Sequence, residues 1–271
     1  MKKTPTLLTL LLLPLLLFSC MSREEKSAKA LLEESRVAYE SGSYELSAQL
    51  LDSLHHTYRD AVKYRREALA LQKSVRMEIS RRDSAFAVAR LDTLYSVRDR
   101  LLEDFVTLHD KRFADETTTR VKGSEPSGIP YLDTYFDKED RLELAASVAS
   151  AFDPQSTHLR IDNLSDHTYL SSDTIPYDGG MNYSYVDGGK HYRRLTFTDT
   201  MAEPIVAFIA LAPADASLKV TLGGGRAVSF ALPARSKENI ARTYRLFRVK
   251  QEIEKLETTL RRHAKRLTLP D

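Results

Sequence analysis

The stretch with the greatest capacity for chemistry runs from Tyr177 to Tyr192. There Tyr177, Asp178, Tyr183, Tyr185, Asp187 and Tyr192 are spaced among Gly179, Gly180, Gly188 and Gly189. Phenol rings stack on sugar faces, carboxylates accept hydrogen bonds from sugar hydroxyls, and aspartates on glycine-rich turns also suit a calcium ion. Alternation within a half-buried β-hairpin accounts for the same residues without a ligand. These six are the candidate ligand-binding residues, for a glycan or a protein partner; no metal site and no cofactor is expected. Elsewhere the spacing that catalysis requires is missing, with no G-x-S-x-G elbow, H-E-x-x-H helix, P-loop or dinucleotide fingerprint, and no catalytic residue is assigned. Gly223-Gly224-Gly225-Arg226 lies between two apolar runs and precedes no helix, which favours a hairpin turn over a phosphate cradle. His55 and His56 are adjacent, so on a helix they point about 100° apart and do not converge on one ion.

The tyrosine-rich stretch belongs to an insert, residues 112–235, that holds most of the glycines and prolines. Its apolar runs are short: Leu142 to Ala149, His158 to Ile161, Thr168 to Leu170, Tyr192 to Phe197, Ile205 to Leu211, Leu218 to Leu222 and Ala227 to Leu232. Seven short strands separated by glycine turns predict an antiparallel β-sandwich or a small barrel, entered through a loop around Gly128-Ile129-Pro130. Both flanks of the insert are helical in pattern. Residues 61–111 lack proline and glycine and place Ala87, Leu91, Leu94, Leu101, Phe105 and Leu108 at steps of three and four, after a first half in another phase through Val75, Ile79 and Phe86. Residues 236–271 carry Leu246, Val249, Ile253, Leu256, Leu260, His263 and Leu267 at the same steps. The spacing predicts two stalk helices paired antiparallel within one chain, with pairing between chains as the competing arrangement. The fold class expected is α+β.

Residues 20–60 precede the stalk. Ala28, Leu31, Leu32, Ala38 and Tyr39 share one helix face, the chain turns at Ser41-Gly42, and Ser47, Leu50, Leu51 and Leu54 share a second. Ala38 to Tyr44 followed by Ser47, Leu51 and Leu54 resembles a single tetratricopeptide unit, with serine in place of the usual alanine at the crossing and no further copy at a 34-residue period.

The opening of the chain fixes an address. Lys2 and Lys3 precede an almost pure leucine run, Leu7 to Phe18, too short to span a bilayer and ending Leu17-Phe18-Ser19-Cys20 at the single cysteine. This resembles the lipobox signal of bacterial lipoproteins, with Phe18 where alanine or serine is usual; an ordinary secretory signal ending at a free cysteine is the alternative. The resemblance implies removal of residues 1–19 and a diacylglyceryl thioether on Cys20, with Met21 favouring outer-membrane placement. Acyl chains contribute about 0.8 kcal/mol per buried CH₂, enough for durable anchoring.

Loss of Lys2 and Lys3 takes the formal charge from +2 to about zero, which disfavours nucleic-acid partners. With no second cysteine there is no intrachain disulfide and no zinc-thiolate centre. The expectation is a lipid-anchored cell-envelope protein, membrane-bound through Cys20, with a non-enzymatic binding or scaffold role. An accessory enzyme acting on envelope polysaccharide and a homo-oligomeric structural lipoprotein are the alternatives.

Overall fold

The structure, a computed structural model, describes residues 22–109 and 117–268, with backbone alone for 266–268. The chain divides into two compact units. One runs up to Ala89 and resumes at Glu257; the other is Arg90–Leu256.

In the first unit, α1 (Arg23–Glu40) starts at a capping box, in which the Ser22 hydroxyl accepts the Glu25 N–H and the Glu25 carboxylate accepts the Ser22 N–H. The chain turns through Gly42 at φ +77°, a left-handed conformation that glycine adopts without a Cβ clash, and α2 (Tyr44–Thr57) returns against α1. The two helices cross at serines. Ser35 and Ser47 are buried, each hydroxyl reaching the other's carbonyl at 2.9–3.2 Å. The hairpin does not stand alone: Ala61, Tyr64, Ala68 and Val75, from the residue before α3 (Val62–Leu102) and from the helix itself, share one core with Ala28, Leu32, Leu51 and Leu54. Near the other end of this stretch, His263 of α5 (Ala234–Thr268) is buried with its Nδ1 3.3 Å from the Ser84 hydroxyl.

The second unit is built on ten antiparallel strands: β1 (Phe105–His109), β2 (Thr117–Val121), β3 (Tyr131–Phe136), β4 (Leu142–Ser150), β5 (His158–Asn163), β6 (Thr168–Ser171), β7 (Asn182–Asp187), β8 (Lys190–Thr198), β9 (Leu218–Gly223) and β10 (Val228–Ala231). They form a six-stranded sheet ordered β1-β2-β3-β4-β8-β7 and a four-stranded sheet ordered β10-β9-β5-β6. Both sheets keep their edges, so the barrel alternative is not the arrangement found. Their inner faces share one core, including Phe136, Leu144, Leu195 and Phe197 from the larger sheet and Leu159, Ile161, Val220 and Leu222 from the smaller. The core also takes in Ile205, Val206 and Ile209 from α4 (Asp199–Leu211) and Ile240 and Leu246 from α5. Each such side chain contributes about 1.5–3 kcal/mol by leaving water.

Three expectations are corrected. Residues 105–109 do not continue the stalk helix: α3 stops at Leu102, and Phe105–His109 pairs with β2. Phe105 and Leu108 satisfy a heptad spacing, but Phe105 is buried against Val121 as a strand residue. The run Ile205 to Leu211 is helical, with Ala202, Ile205, Val206 and Ile209 buried at steps of three, one and three, because a short apolar run fits either element until its partners are known. Tyr131–Phe136, which follows the loop expected around Gly128-Ile129-Pro130 and is not among the seven expected strands, is a central strand.

Lys237 is the least conventional structural residue of this unit. Almost wholly buried at the start of α5, its ammonium donates to the carbonyls of Pro213, Ala214 and Ala216 and so closes the turn that follows α4.

Candidate functional site

Strand alternation divides the larger sheet into an apolar inner face and a polar outer one. In β3, Leu132 and Phe136 enter the core, leaving Tyr131, Asp133 and Tyr135 on the outer face; in β4, Leu144 and Ala146 enter, leaving Glu143, Ala145 and Ser147. The register aligns these residues into cross-strand rows. Tyr135 lies beside Glu143 and Thr198, Asp133 beside Ala145 and Thr196, Tyr131 beside Ser147, Arg194 and Tyr183, and Tyr192 beside Tyr185.

Small residues in the middle create the site. Ala145 and Ser147 leave a hollow that longer neighbours lean across, which is why both are almost fully buried on a face that carries no second layer of apolar residues. Rows on one face are about 7 Å apart along the strands. Arg194 and Tyr135 stand two rows apart and reach toward each other across the row between, where Arg194 Nη2 donates to the Tyr135 hydroxyl at 2.9 Å. Tyr135 in turn donates to Glu143. On the far side, Arg120 Nη1 donates to Asp133 Oδ2 at 2.9 Å, with its guanidinium 5.0 Å from the centre of the Tyr135 ring.

Burial dominates the ionisation of these groups. It pushes the Asp133 carboxyl up to about 6, outweighing the attraction of Arg120, and it raises the Glu143 carboxyl and the phenols of Tyr131 and Tyr135 above their usual ranges. The Nε atoms of Arg120 and Arg194 are shut off from solvent without a partner.

A groove of about 530 Å³ opens on this face, lined by Glu143, Arg194, Tyr135, Tyr183, Thr196 and Thr198 among others. Asp133 lines a different cavity, of about 250 Å³, under the 123–130 loop. The two buried carboxyls therefore do not face a common space.

Of the six residues predicted from sequence, three come together here. The Tyr185 and Tyr192 rings stack at 4.7 Å and 3°, and Tyr183 continues the ladder at 6.4 Å and 20°. Asp187 shares their strand at the tip of the β7–β8 hairpin. Tyr177 and Asp178 lie apart from the ladder. Tyr177 sits 5.5 Å over the guanidinium of Arg193, on the inward side of β8, and Asp178 Oδ1 accepts the N–H groups of Gly180 and Asn182, which holds its carboxyl below the usual range. That is a turn, not a calcium cradle, and among the described residues no cluster of three or more His, Cys, Asp or Glu is placed to hold a metal ion. Cys20 lies outside the described residues. No helix among them is long and apolar enough to cross a membrane.

Arg120, Tyr131, Asp133, Tyr135, Glu143 and Arg194 were not candidates from sequence. For Tyr131, Asp133 and Tyr135 the signal was the two-residue alternation of Tyr131-Leu132-Asp133-Thr134-Tyr135-Phe136, just after the loop expected around Gly128-Ile129-Pro130. Gly224 and Gly225 lie in the turn between β9 and β10, packed against their own chain at residues 154–157, while Gly223 ends β9 opposite His158.

No family model, curated protein or solved structure matches the chain. The chemistry of this face has to come from its own residues.

Proposed function

We propose that the chain is a lipid-anchored cell-envelope protein that recognises a glycan on the outer face of its six-stranded sheet. One observation carries this reading: a three-ring tyrosine ladder, with Tyr185 half exposed, borders a groove that holds an arginine, a carboxylate and two threonine hydroxyls. Flat aromatic surface beside hydrogen-bonding groups of both polarities is what a sugar ring, apolar on its faces and hydroxylated at its edge, requires. The anchor in this reading is Cys20, on the strength of the Leu17-Phe18-Ser19-Cys20 motif behind its leucine run. Contacts within each unit favour intrachain antiparallel pairing of α3 and α5: Ser84 with His263 in the first, and Arg90 with Glu252 in the second.

Binding is favoured over hydrolysis because Asp133 and Glu143 open to separate cavities, whereas glycosidase carboxyl pairs flank one bond. The test uses full-length protein and immobilised polysaccharide from its own cell envelope. Tyr185→Ala and Tyr183→Ala should each weaken retention about tenfold or more, the scale of a lost aromatic contact of roughly 1.4 kcal/mol. Undiminished retention of both variants, or no retention of the wild type, refutes the glycan assignment. Intact mass of the membrane-extracted protein against Cys20→Ser tests the anchor; an unacylated wild type cleaved elsewhere refutes it.

A further inference from the structure

Two arginines, Arg120 and Arg194, stand on this face, a third, Arg193, lies on the inward side of β8, and their partners differ. Arg120 is held by Asp133 at 2.9 Å and Arg193 by Asp153 at 2.8 Å. Arg194 has no carboxylate within ion-pair distance among the described residues. Its side-chain hydrogen bonds go to neutral phenols, at 2.9 Å to Tyr135 and also to Tyr183, and its Nε, like those of Arg120 and Arg193, has no partner. Glu143 takes the other side of the same phenol, and Arg194 acts on it and on Asp133 only through space. A half-buried guanidinium with no counter-ion is costly to maintain, and its planar fork is shaped to take a carboxylate through two parallel hydrogen bonds.

We infer that the groove takes an acidic sugar, with the sugar carboxylate seated on the guanidinium of Arg194. This rests on the glycan-binding reading above and narrows it. The remaining lining groups fit the rest of such a ring: Thr196 and Thr198 present hydroxyls, Glu143 accepts from sugar hydroxyls, and Tyr183 leads onto the Tyr185–Tyr192 stack. A volume of about 530 Å³ lies within the range of small-ligand sites. Glu143 also selects against alternatives. A doubly charged phosphate group would lie in one groove with a carboxylate that repels it, whereas a singly charged sugar acid places its negative end on Arg194 and its hydroxyls toward Glu143.

The experiment is calorimetric titration of the full-length protein with trigalacturonate and a hyaluronan tetrasaccharide, each as free acid and as methyl ester. Esterification removes the charge and leaves the rings and hydroxyls in place. At least one acid should bind tenfold or more tightly than its ester, with affinity falling as salt rises, and Arg194→Gln should bring acid and ester to equal affinity. Arg194→Lys keeps the charge without the fork and should retain only part of the preference, and the tyrosine near-ultraviolet circular dichroism of both variants checks that the face is still folded. Equal binding of acid and ester by the wild type overturns the acidic-sugar assignment and leaves glycan recognition standing. Binding of neutral envelope polysaccharide without either acid does the same. Inorganic phosphate displacing the acid at lower concentration than the acid itself binds also overturns it, in favour of a simple anion site. Failure of acids, esters and envelope polysaccharide alike removes the parent reading as well.

Discussion

Replacing Asp133 by asparagine should remove a pH dependence of stability that this one carboxyl imposes. Asp133 is 7% exposed, and burial raises it from 3.8 to about 6 despite Arg120 at 2.9 Å. A folded-state value above the unfolded one means that the native protein binds this proton more tightly. Its contribution to stability is therefore fully present below about pH 4 and is lost as the pH rises through about 6. A rise of this size corresponds to roughly 3 kcal/mol. Asparagine has the shape of the protonated acid and still offers Arg120 an acceptor oxygen, so the variant keeps the hydrogen bond without the titration. The assay is urea denaturation at intervals between pH 4 and 7, followed by near-ultraviolet circular dichroism. The chain has no tryptophan, so that signal comes chiefly from tyrosines such as Tyr131 and Tyr135 beside the substituted position. Subtracting the variant from the wild type cancels Glu143, also raised, and the lowered carboxyls Asp153 and Asp178. The wild-type-minus-variant stability should fall by about 2.5 kcal/mol from pH 4 to pH 7. A flat difference would show that burial is not what governs this carboxyl. A rising one would show that the pairing with Arg120 outweighs desolvation, and the account of the whole face would fail with it.

Two further substitutions probe how the second unit is held together. Lys237→Met keeps the aliphatic stem but strips the ammonium from the carbonyls of Pro213, Ala214 and Ala216, and should cost about 2 kcal/mol or more in urea midpoint analysis, the scale of leaving buried acceptors unmet. An unchanged midpoint would mean that water replaces the lysine. Gly224→Ala places a methyl 2.3 Å from the Thr157 hydroxyl oxygen and 2.8 Å from its backbone nitrogen at φ +130°, a conformation that disfavours any side chain. Loss of about 2 kcal/mol or more is expected, read as a lower thermal midpoint, and a neutral result would remove the close packing of this turn against residues 154–157.

The helical part of the fold was legible because its signals are local. The Ser41-Gly42 turn and the spacing of Leu51 and Leu54 each act within a few residues. Strands β4, β5, β8 and β9 were legible as apolar runs bounded by turns, but α4 was not, since Ile205 to Leu211 is apolar all round and only its packing distinguishes helix from strand. The site was half legible. Tyr183, Tyr185 and Tyr192 stand close in sequence across one hairpin, so their meeting follows from a two-residue turn. Arg194 meets Tyr135 from 59 residues away, through the alignment of β3, β4 and β8, and no local pattern carries a register of that kind. Tyr177 and Asp178 looked equivalent to the ladder residues in composition, but they precede the strand and serve the turn that begins it.

The polar outer face argues for recognition through its own energetics. A fold selected only for stability would cover or neutralise these rows with aliphatic side chains, since buried ion pairs recover their desolvation cost poorly and a well-packed hydrophobic replacement is often neutral or stabilising. This sheet instead keeps Arg120, Arg194, Asp133, Glu143 and five phenols on one face, with the donors Arg120 Nε and Arg194 Nε unmet. The Arg120–Asp133 pair on one side and the Tyr135–Glu143 contact on the other fix the floor, so that Arg194 is held across the small residues Ala145 and Ser147 instead of moving freely in solvent. Fixing a guanidinium before the ligand arrives removes an ordering cost that a flexible side chain incurs on binding, which accounts for placing the groove on a sheet whose inner face is the protein's own core.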